Sequence, residues 1–233
     1  MRVAIVIPTY KRKAKLKRCI DSILGGTYQD FLLFVIADNK DYDTEKFVKE
    51  QYTDRRIYAF TMPSQNYVIG CWNTFSQHFA FLDWDLMAWI VDDVELYPNC
   101  LEEGVNCFKS NFDNLDGVVG LSQECPNHPE YTYKPFGQVL LGRDFINRYP
   151  NRKVCCPAYT HFFQDEEMWS YARGLNKFVE CKTAVLKHYH PAFIKNEMDS
   201  THPIVRGKVF QQDKKINEDR HSRGLLWGRS FEL

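Results

Sequence analysis

Apolar and polar positions fall into two alternating patterns along this chain. Short runs of β-branched and other apolar residues stand at 3–7, 31–37, 57–61, 86–91, 117–121, 138–141 and 178–186. Runs of this length, bounded by turn residues, predict strands, and the ones without alternation predict strands buried on both faces. Between them the period changes to that of a helix. Leu16, Ile20, Ile23 and Leu24 share one helical face, and Gly25-Gly26 ends it. Asp41, Asp43 and Thr44 open a second helix, with a weak face of Phe47, Val48 and Tyr52. Trp72, Phe75, Phe79 and Leu82 mark a third over 66–82, and Leu101, Val105, Phe108 and Phe112 a fourth. A short helix is expected at 143–148 and a longer one from about Gln164 to Gly174. Strand, helix and strand at these spacings make βαβ units, hence parallel neighbours. The predicted class is α/β: a mostly parallel central sheet flanked by helices, with a C-terminal helical tail.

One strand ends unusually. The run 86–91 leads straight into Asp92, Asp93 and Glu95, then Pro98. Ligands of open α/β sheets sit off the carboxyl ends of such strands. Three crowded carboxylates repel one another unless a cation neutralises them, and an oxygen-rich cluster suits Mg²⁺ or Mn²⁺ shared with substrate phosphates. The bland alternative is a solvated acidic loop. The basic stretch 11–18 lies at the start of a helix, where the macrodipole disfavours cations. Either a nearby anion offsets that, or the stretch is a solvated face.

Composition narrows the picture. A 233-residue chain holds one large domain or two small ones. Lys+Arg 30 against Asp+Glu 30 argues against a dedicated nucleic-acid binder. The eight cysteines include no Cys-x-x-Cys pair, which disfavours a zinc ribbon. Free thiols, no signal peptide ahead of the first strand and no apolar stretch of bilayer length together lead us to expect a cytoplasmic protein. Cys155-Cys156 reads as adjacent core thiols. Residues 122–137 lack periodicity, and Tyr131 and Tyr133 there would suit stacking on a sugar or base. Of Asp165, Glu166 and Glu167, the helix start explains two, and one facing a pocket would serve as general base. His188 and His190 follow the last strand, and at most one of them is expected to reach a shared metal. Past Pro191 the chain is strongly polar, with a thin stripe of Val205, Val209 and Ile216. A helical tail or lid is expected there.

Taken in order, these segments resemble family 2 glycosyltransferases with the GT-A fold, the nucleotide-diphospho-sugar transferase fold. The opening Val3-Ala-Ile-Val-Ile-Pro-Thr-Tyr-Lys-Arg12 resembles the start of that family. Ile36-Ala-Asp38-Asn39 stands where it keeps a base-contacting Asp. Ile90-Val-Asp-Asp-Val-Glu-Leu-Tyr-Pro98 resembles its Asp-x-Asp motif, Gln164-Asp-Glu-Glu167 its catalytic-base segment, and Val185-Leu-Lys-His188 its late metal-binding strand. The resemblance spans roughly residues 2–191. It implies a catalytic domain over 1–191, with a nucleotide-sugar half (1–98) and an acceptor half (99–191), and a packed tail or lid over 192–233. It also implies that Pro8, Thr9, Tyr10, Arg12, Asp38, Asn66 and Asp92 hold the donor nucleotide. Asp93, Glu95 and His188 would ligate Mn²⁺ or Mg²⁺, with Asp92 on the ribose or the metal. Asp165 or Glu166 would be the base. The donor would be a nucleoside-diphosphate sugar, with UDP the expected nucleotide, and the reaction an inverting displacement by an acceptor hydroxyl. A glycan, lipid-linked sugar, protein side chain or modified nucleic-acid base all remain open as acceptor. Two departures stand out: the third acid is displaced to Glu95, and Gln164 stands where Glu is usual. A nucleotidyltransferase acting on a sugar phosphate also wants paired acids and metal, but usually has a Gly-rich loop after the first strand. A non-catalytic sugar-nucleotide-binding module is the third reading.

Overall fold

The alternation of β1 (Val3–Thr9) splits the core into two layers. Val3, Ile5 and Ile7 pack to one side of the sheet, with Leu16, Cys19, Ile20 and Ile23 of α1 (Lys13–Leu24), Val48 of α2 (Tyr42–Gln51) and Val105 and Phe108 of α4 (Cys100–Asn111). Ala4 and Val6 pack to the other, with Trp72 and Phe75 of α3 (Tyr67–His78), Phe145 of α5 (Arg143–Ile146) and Met168 of α6 (Gln164–Gly174). Every residue of β1 is buried, as expected of a strand covered on both faces. The computed structural model describes residues 1–124, 137–190, 198–199 and 205–230. Tyr131, Tyr133 and most of the loop around them lie outside the described residues.

One eight-stranded sheet runs in the order β3-β2-β1-β4-β7-β6-β8-β5. The strands not yet placed are β2 (Phe31–Ala37), β3 (Ile57–Thr61), β4 (Leu86–Trp89), β5 (Val94–Leu96), β6 (Val118–Glu124), β7 (Val139–Gly142) and β8 (Phe178–His188). The β3-β2-β1-β4 half is parallel throughout. In the other half β6 and β8 are parallel, while β7 runs against both its neighbours and β5 against β8. The connection after β1 goes to one side and β4 returns on the other, so the order reverses between β1 and β4. Such a switch point opens a crevice at the carboxyl ends of the strands. Pro8, whose nitrogen cannot donate, sits beyond the last β1–β4 pair, Val6 with Trp89, and closes that ladder.

The tail forms α7 (Phe210–Ser222), held by two buried charges more than by its apolar stripe. The Asp213 carboxylate accepts backbone N–H bonds from Thr160 (2.9 Å), His161 (2.7 Å) and Phe162 (2.8 Å). Arg220 donates to both oxygens of Glu167 at 2.8 and 3.2 Å, and the backbone N–H of Trp227 donates to the same carboxylate at 2.9 Å. Seven of the eight cysteines fall among the described residues, and all seven are free thiols. Among the described residues no helix is long and apolar enough to cross a membrane.

Candidate active site

The switch point opens into a cavity of about 670 Å³, within the range of small-molecule sites. Its walls come from the ends of β1 (Pro8, Thr9, Tyr10 and Arg12), β2 (Asp38), β4 (Asp92 and Asp93) and β8 (His188), and from the start of α6 (Asp165). Trp72 and Trp89 also line it, stacked at 4.2 Å.

The two adjacent acids are both buried, at 3% exposure each, and hold different partners. Asp92 accepts from Thr9 Oγ1 at 2.8 Å and from Arg12 Nη1 at 3.1 Å. Asp93 lies 3.3 Å from His188 Nε2 and 3.9 Å from Arg12 Nη1. Burial pushes Asp92 upward against the opposing Arg12 charge. At Asp93 burial acts the same way, but the hydrogen bond and charge of His188 and the charge of Arg12 outweigh it, so the carboxyl lies well below its ordinary range. Arg12 is the cation that the acidic turn demanded. Burial disfavours its charge, yet Asp92, Asp93 and Asp199 together raise its pKa. The basic helix start therefore does find anions, and they are carboxylates of this chain: Asp199 lies 3.0 Å from both Arg12 Nε and Lys15 Nζ.

Asp38 is held from above. The backbone N–H groups of Asn66 and Tyr67 donate to its two oxygens, each at 2.8 Å. Burial raises its pKa and these bonds oppose the rise. Asn66 itself does not line the cavity; its side chain donates to Ser64 O at 2.6 Å, and its backbone serves Asp38. This replaces a direct donor contact with a positioning one.

Glu95 also departs from expectation. Once β5 begins at Val94 it pairs with β8, and the Glu95 carboxylate turns to Tyr189 Oη at 2.6 Å, on a separate cleft shared with Lys17 and Arg18 of α1. The crowd of three acids is thus a pair. Of the candidate bases, Asp165 lines the cavity, Glu166 is exposed and does not, and Glu167 is buried against Arg220. Both histidines reach the site: β8 ends at His188, and the rings of His188 and His190, two residues apart and so on one side of the extended chain, line the cavity with centroids 5.5 Å apart.

Three residues that carry no local signal in the sequence complete the site. Gln123 Oε1 accepts from His188 Nδ1 at 2.7 Å, which leaves Nε2 facing Asp93. Gln138 Oε1 accepts from the Val91 N–H at 2.9 Å, just ahead of the acidic turn. Phe210 of α7 forms part of the cavity wall.

Among the described residues no three His, Cys, Asp or Glu side chains converge on one point. Asp93 and His188 nevertheless fit two adjacent places on a divalent ion. Ligands held at about 2.1 Å and at right angles stand about 3 Å apart, close to the separation seen here. Carboxylate oxygen and imidazole nitrogen suit Mn²⁺, and diphosphate oxygens would fill further places.

A half-parallel, half-mixed sheet with acids and an imidazole gathered at its switch point defines a GT-A-type α/β protein. Residues 4–177 match Glycosyl transferase family 2, and the chain belongs to that family. An uncharacterised glycosyltransferase of Rickettsia prowazekii is 26% identical over 136 residues, 57% of this chain and 41% of that protein. The UDP-Glc:alpha-D-GlcNAc-diphosphoundecaprenol beta-1,3-glucosyltransferase WfgD of Escherichia coli is 27% identical over 126 residues, 51% of this chain and 49% of WfgD. The chain therefore spans less than half the length of these curated relatives. Among solved structures, the mannosyltransferase PcManGT of Pyrobaculum calidifontis, in complex with GDP-Man and Mn²⁺, superposes with TM-score 0.62 at 12% identity, covering 80% of this chain and 56% of that one. TarS of S. aureus gives 0.59 at 10% identity, covering 84% and 63%.

Proposed function

We propose that this protein is an inverting, divalent-metal-dependent glycosyltransferase that moves a sugar from a nucleoside-diphosphate sugar to an acceptor hydroxyl. The observation that carries this reading is the meeting of Asp93, His188, Asp92, Asp38 and Asp165, from four separate segments, on one cavity. The PcManGT complex with GDP-Man and Mn²⁺ supports the same donor class and ion. UDP is the nucleotide we expect, and the WfgD name supports it.

In this reading Pro8, Thr9, Tyr10 and Asp38 receive the base and ribose, and residues 1–98 form the donor half. Asp93 and His188 hold the ion, with Gln123 fixing the imidazole. When bound, the ion offsets the negative charge that develops on the departing diphosphate. Arg12 keeps the adjacent Asp92 carboxylate paired. Asp165, at the start of α6 where the helix dipole favours its ionised form, takes the proton of the acceptor hydroxyl as that oxygen attacks the anomeric carbon from the face opposite the diphosphate. The free thiols suit a reducing, cytoplasmic setting.

Nucleoside diphosphate release from a panel of UDP-, GDP- and dTDP-sugars, with and without Mn²⁺, tests the proposal. Slow release from at least one donor should require the ion and fall at least about 100-fold in Asp93→Asn, the scale of losing one main electrostatic contact. Failure of every donor to bind or turn over with Mn²⁺ present refutes it.

A further inference from the structure

The cavity lining is of two chemical kinds. One is the acids, Arg12, His188 and His190. The other is a corner of phenylalanine rings, Phe162 and Phe163 from the segment before Asp165 and Phe210 from α7, with the His161 ring against Phe162 at 4.8 Å. Resting on the transferase reading above, we propose that this corner, with the Gln164 amide, is the acceptor subsite and that it takes a pyranose ring. The C-terminal helix is then part of the site.

Four observations carry this. First, the rings are arranged for a three-dimensional ligand. Phe162 and Phe210 meet at 5.1 Å and 89°, Phe163 and Phe210 at 5.9 Å and 31°, Phe162 and Phe163 at 6.4 Å and 60°. No two of them are parallel, so they form no slot for a flat nucleobase. A sugar chair offers C–H bonds in several directions and fits a corner of aromatic faces. Second, Phe163 adopts φ 69, a left-handed conformation costly for a bulky side chain. The three N–H bonds to Asp213 hold residues 160–162 immediately before it, so α7 fixes this conformation and supplies the third ring in one turn of helix. Third, Gln164 is 8% exposed, lines the cavity, and its Oε1 makes no hydrogen bond among the described residues. The terminal torsion of a glutamine is soft, so a sugar hydroxyl can recruit that oxygen. Fourth, Arg12 is the one Lys or Arg among the described lining residues, and Asp92 and Asp199 already engage it. A nucleic-acid acceptor would want several cations for its phosphates. A serine or threonine of a peptide would bring one hydroxyl and leave three rings uncovered.

Saturation-transfer NMR of the full chain tests this, with irradiation of the aromatic protons. The probes are methyl β-glucopyranoside, methyl β-galactopyranoside, methyl α-mannopyranoside and methyl N-acetyl-β-glucosaminide, with N-acetylthreonine methylamide as the peptide probe. At least one pyranoside should receive saturation on its ring protons. Phe210→Leu, which keeps apolar volume and removes the ring, should weaken its binding roughly five-fold, and Gln164→Leu roughly ten-fold, while Gln164→Glu retains it. No transfer to any pyranoside, transfer only to the threonine probe, or transfer unchanged in both Leu variants overturns the assignment. Donor turnover is read separately as nucleoside diphosphate release. Pyranoside binding without donor turnover would refute the transferase reading and leave a pyranose-binding corner that is no acceptor site; donor turnover without pyranoside binding would refute the subsite alone.

Discussion

Asp92 and Asp93 differ by one position and do different work, because each meets a different neighbour from a distant segment. Asp92 answers Thr9 and Arg12 of the first strand's end, and Asp93 answers His188 of the last strand. The His188 imidazole is in turn oriented by Gln123. Such supporting contacts typically carry about 10–100-fold in metal affinity. Gln123→Leu should therefore raise the Mn²⁺ concentration for half-maximal donor turnover by at least about 10-fold with little change in melting temperature, as a metal titration would read. The same scale separates the candidate bases. Asp165→Asn should lower acceptor transfer by about 10²–10⁴-fold, the contribution of a general base, while Glu166→Gln stays close to the parent. Steady-state rates with the acceptor of the subsite test decide it; equal losses would remove Asp165 from its assigned role.

The element that ties residues 159–167 together is α7. Its sequence reads as polar surface, yet Asp213 and Arg220 are at 0% and 1% exposure. Arg220 faces Glu167 of α6, two residues from Asp165, and Tyr159 Oη joins the same carboxylate at 2.9 Å. Removing one member of a buried pair strands the other's charge, at roughly 3–5 kcal/mol. Arg220→Ala should lower the melting temperature by roughly 10 °C, given about 2–4 °C per kcal/mol at this chain length. A calorimetric shift under about 2 °C would place Glu167 in contact with water in the folded protein. β8 makes a matching point at its end: residues two apart along an extended chain share a face, and His188 and His190 both line the cavity.

At the scale of the whole molecule, acid stability follows from carboxylates held by guanidinium groups. Hydrogen bonds from Arg56 lower Asp54 to about 2, and Arg148, ahead of Lys177, lowers Asp116. A carboxylate depressed in the folded state adds stability that is complete above its unfolded value of about 3.9 and disappears as pH falls through the folded one. Melting temperature should thus fall between about pH 4 and pH 2, and Asp54→Asn should flatten the part owed to Asp54. The placement of the site depends on the strand order, and here sequence and structure divide. Seven of the eight strands, the amphipathic helices, the acidic turn after β4 and the chain order of motifs were legible, because burial and hydrogen bonding along one segment impose a local period; the three-residue β5, set by its pairing with β8, was not. Asp38, Asp93, Asp165 and His188 could be named from their neighbours in sequence. The displacement of Glu95 to Tyr189, the exposure of Glu166, the service of Asn66 to Asp38 and the burial of Asp213 and Arg220 could not. Each depends on which distant segment lies opposite, and a charged residue looks the same in sequence whether it meets water or a buried ion of the opposite sign. The pattern along the chain determined that there would be a covered sheet with acids at one strand's end. Packing alone decided which of those acids share a cavity, because only the closed fold sets the distances over which charges and hydrogen bonds act.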